Sequence, residues 1–135
     1  MRCRTVIELY RLLLVGAGGF LGSVLRYVVG GYVQQASGSV QFPYGTLAVN
    51  VIGCFVIGAL SALAENRGVF TPEARLFVFV GILGGFTTFS TFGNETMNFL
   101  REGDNLRAVV NVAAQLILGL GAVWLGRSIV TVMWR

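Results

Sequence analysis

Histidine and lysine are absent from the sequence, cysteine occurs only twice, and six acidic residues stand against ten arginines. With no histidine, no nucleotide-binding motif and no nucleophile beside a base, the chain has no equipment for enzymatic chemistry. Cys3 and Cys54, one beside the N-terminus and one within an apolar run, give neither a disulfide framework nor metal-ligand spacing, and Cys54 reads as a small buried residue. Charge is scarce altogether: 12% of 135 residues, where a soluble domain carries roughly a quarter. With 55% of its residues hydrophobic, the chain lacks the polar surface that solubility requires. No basic patch with interleaved aromatics is left to suggest nucleic acid as a partner.

What is present is long apolar sequence. Charge is missing from Pro43 to Ala64, from Leu76 to Asn94 and from Ala108 to Gly126, and a hydrocarbon core needs about 20 apolar residues to be crossed. An earlier run, Leu12 to Tyr32, is as apolar but carries Arg26. It is too long for a signal peptide and shows no A-x-A cleavage site. The pattern predicts an all-α membrane protein of one domain over residues 1–135, with four spans near 10–32, 43–64, 74–100 and 106–128. Arg2, Arg4, Arg11, Arg67, Arg75, Arg127 and Arg135 then fall on one side, and Arg101 and Arg107 on the other. By the positive-inside rule both termini face the cytoplasm.

The connections carry turn and cap chemistry. Residues 31–42 are uncharged and rich in Gly, Ser and Gln, and Pro43 lies where a helix can begin. Thr71-Pro72-Glu73 supplies an N-cap with proline at the first helical position. Gly103 suits a helix end, and Asp104 or Asn105 the next beginning. The third span is longer than a membrane requires, and Gly81, Gly84 and Gly85 gather near its middle, followed by Thr87 and Thr88. Two readings fit: a local unwinding of the kind that holds ions in broken helices, or small residues that let helices approach closely, as Gly18 with Gly22 also would.

Polar residues inside the spans fall at helical spacing: Thr46, Asn50, Gly53 and Cys54 in the second; Thr87, Thr91, Asn94 and Asn98 in the third; Arg107, Asn111, Gln115 and Gly119 in the fourth. Any one of them can simply join helices. Three such stripes, with no carboxylate among them, instead suit an anion solvated by neutral O–H and N–H donors, without a proton relay. Phe89 and Phe92 adjoin the threonine stripe, with Phe86 a turn back. Phenylalanines are ordinarily core or lipid-facing, yet the positive edge of a ring can steady a small anion without the fixed cation that would trap it.

The run Gly84-Gly85-Phe86-Thr87-Thr88-Phe89-Ser90-Thr91-Phe92 closely resembles the signature of the Fluc (CrcB) fluoride channel family. The resemblance extends to residues 45–50, to residues 22–26, and to the length and the number of spans. It implies an antiparallel, dual-topology dimer with a broken third helix, two fluoride pores and a central sodium ion, exporting fluoride from a bacterial cell across the inner membrane and so reducing its toxicity. By position, it assigns Phe89, Phe92 and Asn50 to the pore, with Thr46, Ser90 and Thr91 as neighbouring polar positions. Gly84 and Thr87 would hold Na+ through backbone carbonyls, and Arg26 would lie near the subunit interface unless it snorkels to the membrane surface. The family pattern often has tyrosine and serine in the fourth span, where this chain has Asn111 and Gln115. Asn111 is accordingly expected in the pore. The arginine bias, seven against two, leaves two partners open: a second copy in the opposite orientation, or an oppositely oriented paralogue.

Two rivals are tested against these residues. A small multidrug-type transporter needs a glutamate embedded in the membrane, whereas Glu8, Glu65, Glu73 and Glu95 are expected at or near span ends. A helical scaffold subunit without transport explains the glycines but not polar stripes beside phenylalanines.

Overall fold

The computed structural model describes residues 2–134, and the side chains of residues 8–65 and 68–134. The guanidinium groups of Arg2, Arg4, Arg67 and Arg135 and the thiol of Cys3 therefore fall outside the described residues. Helix α1 runs Arg2–Ala36 and α2 Tyr44–Arg67. The third span is composite: α3 (Pro72–Arg75), a π-helical stretch π1 (Leu76–Leu83), α4 (Gly84–Phe86), and, after a break, α5 (Phe89–Arg101). Helix α6 covers Asn105–Met133. Four segments, Glu8–Ala36, Tyr44–Glu65, Pro72–Arg101 and Asn105–Met133, are long and apolar enough to cross a membrane. This is a multi-pass membrane protein.

The expected punctuation is in place. The Thr71 hydroxyl accepts from Ala74 N at 3.2 Å with Pro72 at the first turn, and Asp104 Oδ1 accepts from Arg107 N at 3.0 Å. Gly68 ends α2 at φ 60°, a left-handed conformation that costs glycine little. Between α1 and α2, one side chain organises the connection: the Gln34 amide donates to Ser39 O and Phe42 O and accepts from Gly45 N.

Helix α2 packs chiefly on α6, and α1 chiefly on π1 and α4. Both contacts are made by glycine. A Cβ at Gly58 would run into Val123 O, one at Gly126 into Phe55 O, and one at Gly18 to within 2.9 Å of Gly81 Cα. Backbones meet directly, which is how membrane helices gain dispersion energy where water supplies no hydrophobic drive. Among the described residues, Val49 and Asn111 are the largest fully buried side chains. Leu12, Phe20, Leu120 and Trp124 point outward, as lipid-facing residues do. Glu65 pairs with Arg127, tying the ends of α2 and α6 together.

Both readings of the glycines in the third span hold, at different residues. Gly81 and Gly85 press on α1, whereas the chain unwinds just after them, at Thr87 (ψ 158°) and Thr88 (φ −148°). One expectation is corrected. Glu95 does not stand at a span end: α5 continues six residues beyond it, to Arg101, and its half-buried carboxylate accepts from the Thr46 hydroxyl. The charge-free run stops at Glu95, but a carboxylate that meets a donor on a neighbouring helix does not stop the helix.

Candidate functional site: two cavities at the helix break

The break is held open from outside. In an unbroken α-helix the N–H of Thr88 would donate to Gly84 O; here it donates to Asn50 Oδ1 at 2.8 Å. Asn50 Nδ2 returns a bond to Thr88 O at 3.1 Å, and a second to Gln115 Oε1, also at 3.1 Å. The restart of the helix is capped by Thr88, whose hydroxyl accepts from Thr91 N at 3.3 Å. Arg26 turns inward rather than toward the membrane surface, and its Nη1 reaches Thr87 O at 3.5 Å.

Two cavities meet there. The larger, about 710 Å³, lies at the end of the molecule that carries the 37–43 and 102–104 connections, and Arg26, Thr46, Thr91, Glu95, Asn98 and Arg107 stand in its wall. Its wall carries charges of both signs, Arg26 and Arg107 against Glu95 and Glu102. The smaller, about 370 Å³, is walled by Asn50, Cys54, Thr87, Phe89, Phe92 and Gln115 among others, and among the described residues no charged side chain lines it. Thr88 belongs to both walls.

The structure brings most of the expected residues to this place. Phe89 and Phe92 pack edge to face with ring centroids 5.4 Å apart, and Phe89 is 82% exposed on the open side of the smaller cavity. Gly84 and Ser90 are exposed on the chain near it, Gly84 also lining that cavity. Thr46 and Thr91 line the larger cavity instead. Asn111 is set apart. It is 0% exposed, donates to Thr96 Oγ1 at 3.0 Å between α5 and α6, and lines neither cavity. Phe86, buried at 7%, faces the packed interior.

The third-span stripe also needs redrawing. Because the chain unwinds after Thr87, the residues that line up on α5 facing the larger cavity are Thr91, Glu95 and Asn98, at i, i+4 and i+7. That spacing is in the sequence, and was the signal available for Glu95.

For a metal, among the described residues no group of three or more His, Cys, Asp or Glu comes together. A hard cation here would depend on neutral oxygens. Gly84 O has lost the helical donor that Asn50 captured, and Thr87 O, on an extended residue, keeps a second lone pair beside its long contact with Arg26, so the donor chemistry fits. Two carbonyls are about a third of the roughly six-oxygen shell of a small hard cation.

A neutral cavity with Phe79, Phe89 and Phe92 in its wall thus lies beside a broken helix. Residues 13–127 match the family described as "CrcB-like protein, Camphor Resistance (CrcB)". The chain belongs to the CrcB family. Among CrcB relatives, it is 48% identical over 118 residues to a protein of Shewanella sp. (strain W3-18-1) named fluoride-specific ion channel FluC, covering 87% of this chain and 94% of that one. A FluC of Methylobacillus flagellatus is 43% identical over 122 residues, covering 90% and 95% of the two chains. One named FluC 3 from Methanosarcina barkeri is 42% identical over 121 residues, covering 90% of each. The CrcB match takes in both cavities whole.

Proposed function

We propose that this CrcB protein is a passive, fluoride-selective channel, and that the smaller cavity is one wall of its pore. The observation that carries the reading is the 82% exposed Phe89, edge to face with Phe92, beside a cavity without fixed charge. A large aromatic left open on a mostly apolar wall, with Asn50, Thr87, Thr88 and Gln115 among its polar groups, is half of a site, which a second protomer completes. Ring edges and buried N–H groups replace water around a small anion, while the absence of a fixed cation lets the ion leave again. Asn50 stands in that wall, and Thr46, Ser90 and Thr91 on the approaches; Asn111 supports α5 from behind.

The functional unit is an antiparallel dimer with two pores, formed by a second copy of the chain in the opposite orientation or by an oppositely oriented paralogue. Gly84 and Thr87 carbonyls from both protomers would bind a structural Na+ where the two breaks face each other; when bound, the ion supplies charge that draws the four carbonyls together. In a bacterial inner membrane, a negative-inside potential favours the exit of any anion by about 2.3 kcal/mol per charge per 100 mV. The cell is relieved of fluoride without spending metabolic energy.

The test is fluoride efflux from liposomes containing the purified protein, with chloride efflux and Phe89→Ile alongside. Fast fluoride efflux, little chloride efflux and loss in the variant are expected; folded protein that passes no fluoride, alone or with a paralogue, refutes the channel and leaves the scaffold. Orientation is read by labelling cysteines placed at Ser37 and Gly68, both exposed and at opposite ends, in a background without Cys3 and Cys54. Each site labelled from both sides establishes dual insertion.

A further inference from the structure

Away from the break, a groove of about 470 Å³ lies beside the start of the third span, lined by Arg11, Pro72, Arg75, Leu76, Phe79 and Val80. Helix α1 and the third span run side by side in the same direction: Gly18 lies against Phe77 O and Gly81, and Gly22, one turn on, against Ile82 and Phe86. Arg11, two turns before Gly18, therefore comes level with Arg75. Each is the last charge before an apolar run, since Leu12 follows Arg11 and Leu76 opens the uncharged stretch of the third span. The pair marks the edge of the hydrocarbon, where lipid phosphates stand. Both arginines are exposed, and among the described residues neither forms an ion pair, although Glu8 and Glu73 are near in the chain. Among the described residues no carboxylate lines the groove. Two like charges held on neighbouring helices repel, and an anion between them removes that penalty.

We propose that this groove binds an anionic phospholipid, its phosphate between Arg11 and Arg75 and one acyl chain along Leu76, Phe79 and Val80. A guanidinium is a planar fork suited to phosphate oxygens, and two of them can share one phosphodiester. The part of the lining that lies deeper in the membrane is apolar, and Val80 is 54% exposed there. A free phosphate would use the arginines and leave that surface bare, whereas a lipid covers both. The lining also selects among lipids, because the ammonium of a zwitterionic headgroup finds no carboxylate partner in it. Phe79 stands in the wall of the smaller cavity as well, so a lipid held here borders the face on which the second protomer is placed.

The probe is phosphatidylglycerol, added to the purified full chain in neutral-detergent micelles while the thermal unfolding temperature is followed against lipid concentration. Phosphatidylglycerol is expected to raise it, and phosphatidylcholine to raise it far less. Arg11→Gln and Arg75→Gln should each need roughly fivefold more phosphatidylglycerol for the same rise, and the double variant roughly 25-fold more, the scale of one and two arginines at an anionic membrane surface. Arg101→Gln, which removes an exposed arginine at the other end of the third span, should leave the titration unchanged. If the double variant fails to fold, the single variants carry the comparison. A titration that the Arg11 and Arg75 variants leave where it is in wild type, or that Arg101→Gln displaces as far, overturns the site. An equal rise with phosphatidylcholine overturns the anionic headgroup, and an equal rise with soluble glycerol 3-phosphate overturns the lipid and leaves a free-phosphate site. No rise with phosphatidylglycerol overturns the proposal altogether; cross-linking between chains by Val80→Cys, in a background without Cys3 and Cys54, then gives the groove to a second copy.

Discussion

Gly22→Ala puts a single methyl group between two backbones. A Cβ at Gly22 would lie deep inside contact distance of Ile82 O, 2.9 Å from Phe86 N and 3.0 Å from Ile82 C. All three are backbone atoms, so no side-chain rotation relieves them, and α1 must move off π1 and α4. Such overpacking costs about 1–3 kcal/mol. Alanine also returns something, because glycine inside a helix is worse by about 0.5–1 kcal/mol. The control is Gly16→Ala, on the same helix, where a Cβ meets nothing within 4 Å. Propensity is common to both variants, so their difference isolates the contact, at about 1–3 kcal/mol, or roughly five- to 150-fold in the unfolding equilibrium. Equilibrium unfolding of each variant in mixed micelles, followed by far-ultraviolet circular dichroism, measures it. If Gly22→Ala is as stable as Gly16→Ala, then α1 does not lie against the third span as described, and the glycine-contact reasoning fails.

Two further outcomes are expected. Asn111→Leu removes the bond to Thr96, whose own hydroxyl stays engaged with Phe92 O, and also removes the unpartnered Asn111 Oδ1. Its cost in the same unfolding assay should be near the average of about 0.6 kcal/mol for membrane interhelical bonds, with fluoride efflux close to wild type. A loss of efflux as large as that of Phe89→Ile would place Asn111 in the pore after all. Glu95→Gln keeps an oxygen for the Thr46 hydroxyl while removing the carboxylate from the mouth of the larger cavity. Fluoride efflux at low ionic strength should rise, by up to roughly tenfold, and the gain should shrink as salt shortens the screening length to about 10 Å near 0.1 M. A gain insensitive to salt would refute an electrostatic origin.

The spans, their order and the caps at Thr71 and Asp104 could be read from the sequence, because hydrophobic length and capping chemistry are local. The phenylalanine pair and the polar stripe of α2 were legible as well, since fixed helical spacing decides which residues share a face. What was not legible depends on contacts between distant residues. Glu95 marked the end of a charge-free run, and only its meeting with Thr46, 49 residues away in the chain, lets it sit inside a span. Asn111 has the spacing of a pore residue but falls at the α5–α6 contact, and spacing within one helix cannot say which neighbour that helix will turn toward. Arg26 could serve at the surface or inward until Thr87 O, freed by the break, gave it an inward acceptor. Nothing in the run Leu76–Leu83 distinguishes its π-helical winding from an ordinary apolar helix.

The break itself bears on how the protein is made. At the break, the Asn50 side chain, 38 residues away in the chain, accepts from the N–H of Thr88. A segment that is interrupted by another helix need not be interrupted when it leaves the ribosome. Residues 72–101 can enter the bilayer as one apolar helix with its hydrogen-bond ladder complete, which hydrocarbon demands of any lone segment. Chain order then matters: α2 precedes the third span, so the amide that splits it is already in the membrane when the span arrives. The feature that makes the protein more than a bundle can thus be created at assembly, and insertion need not carry an unwound segment across the bilayer alone.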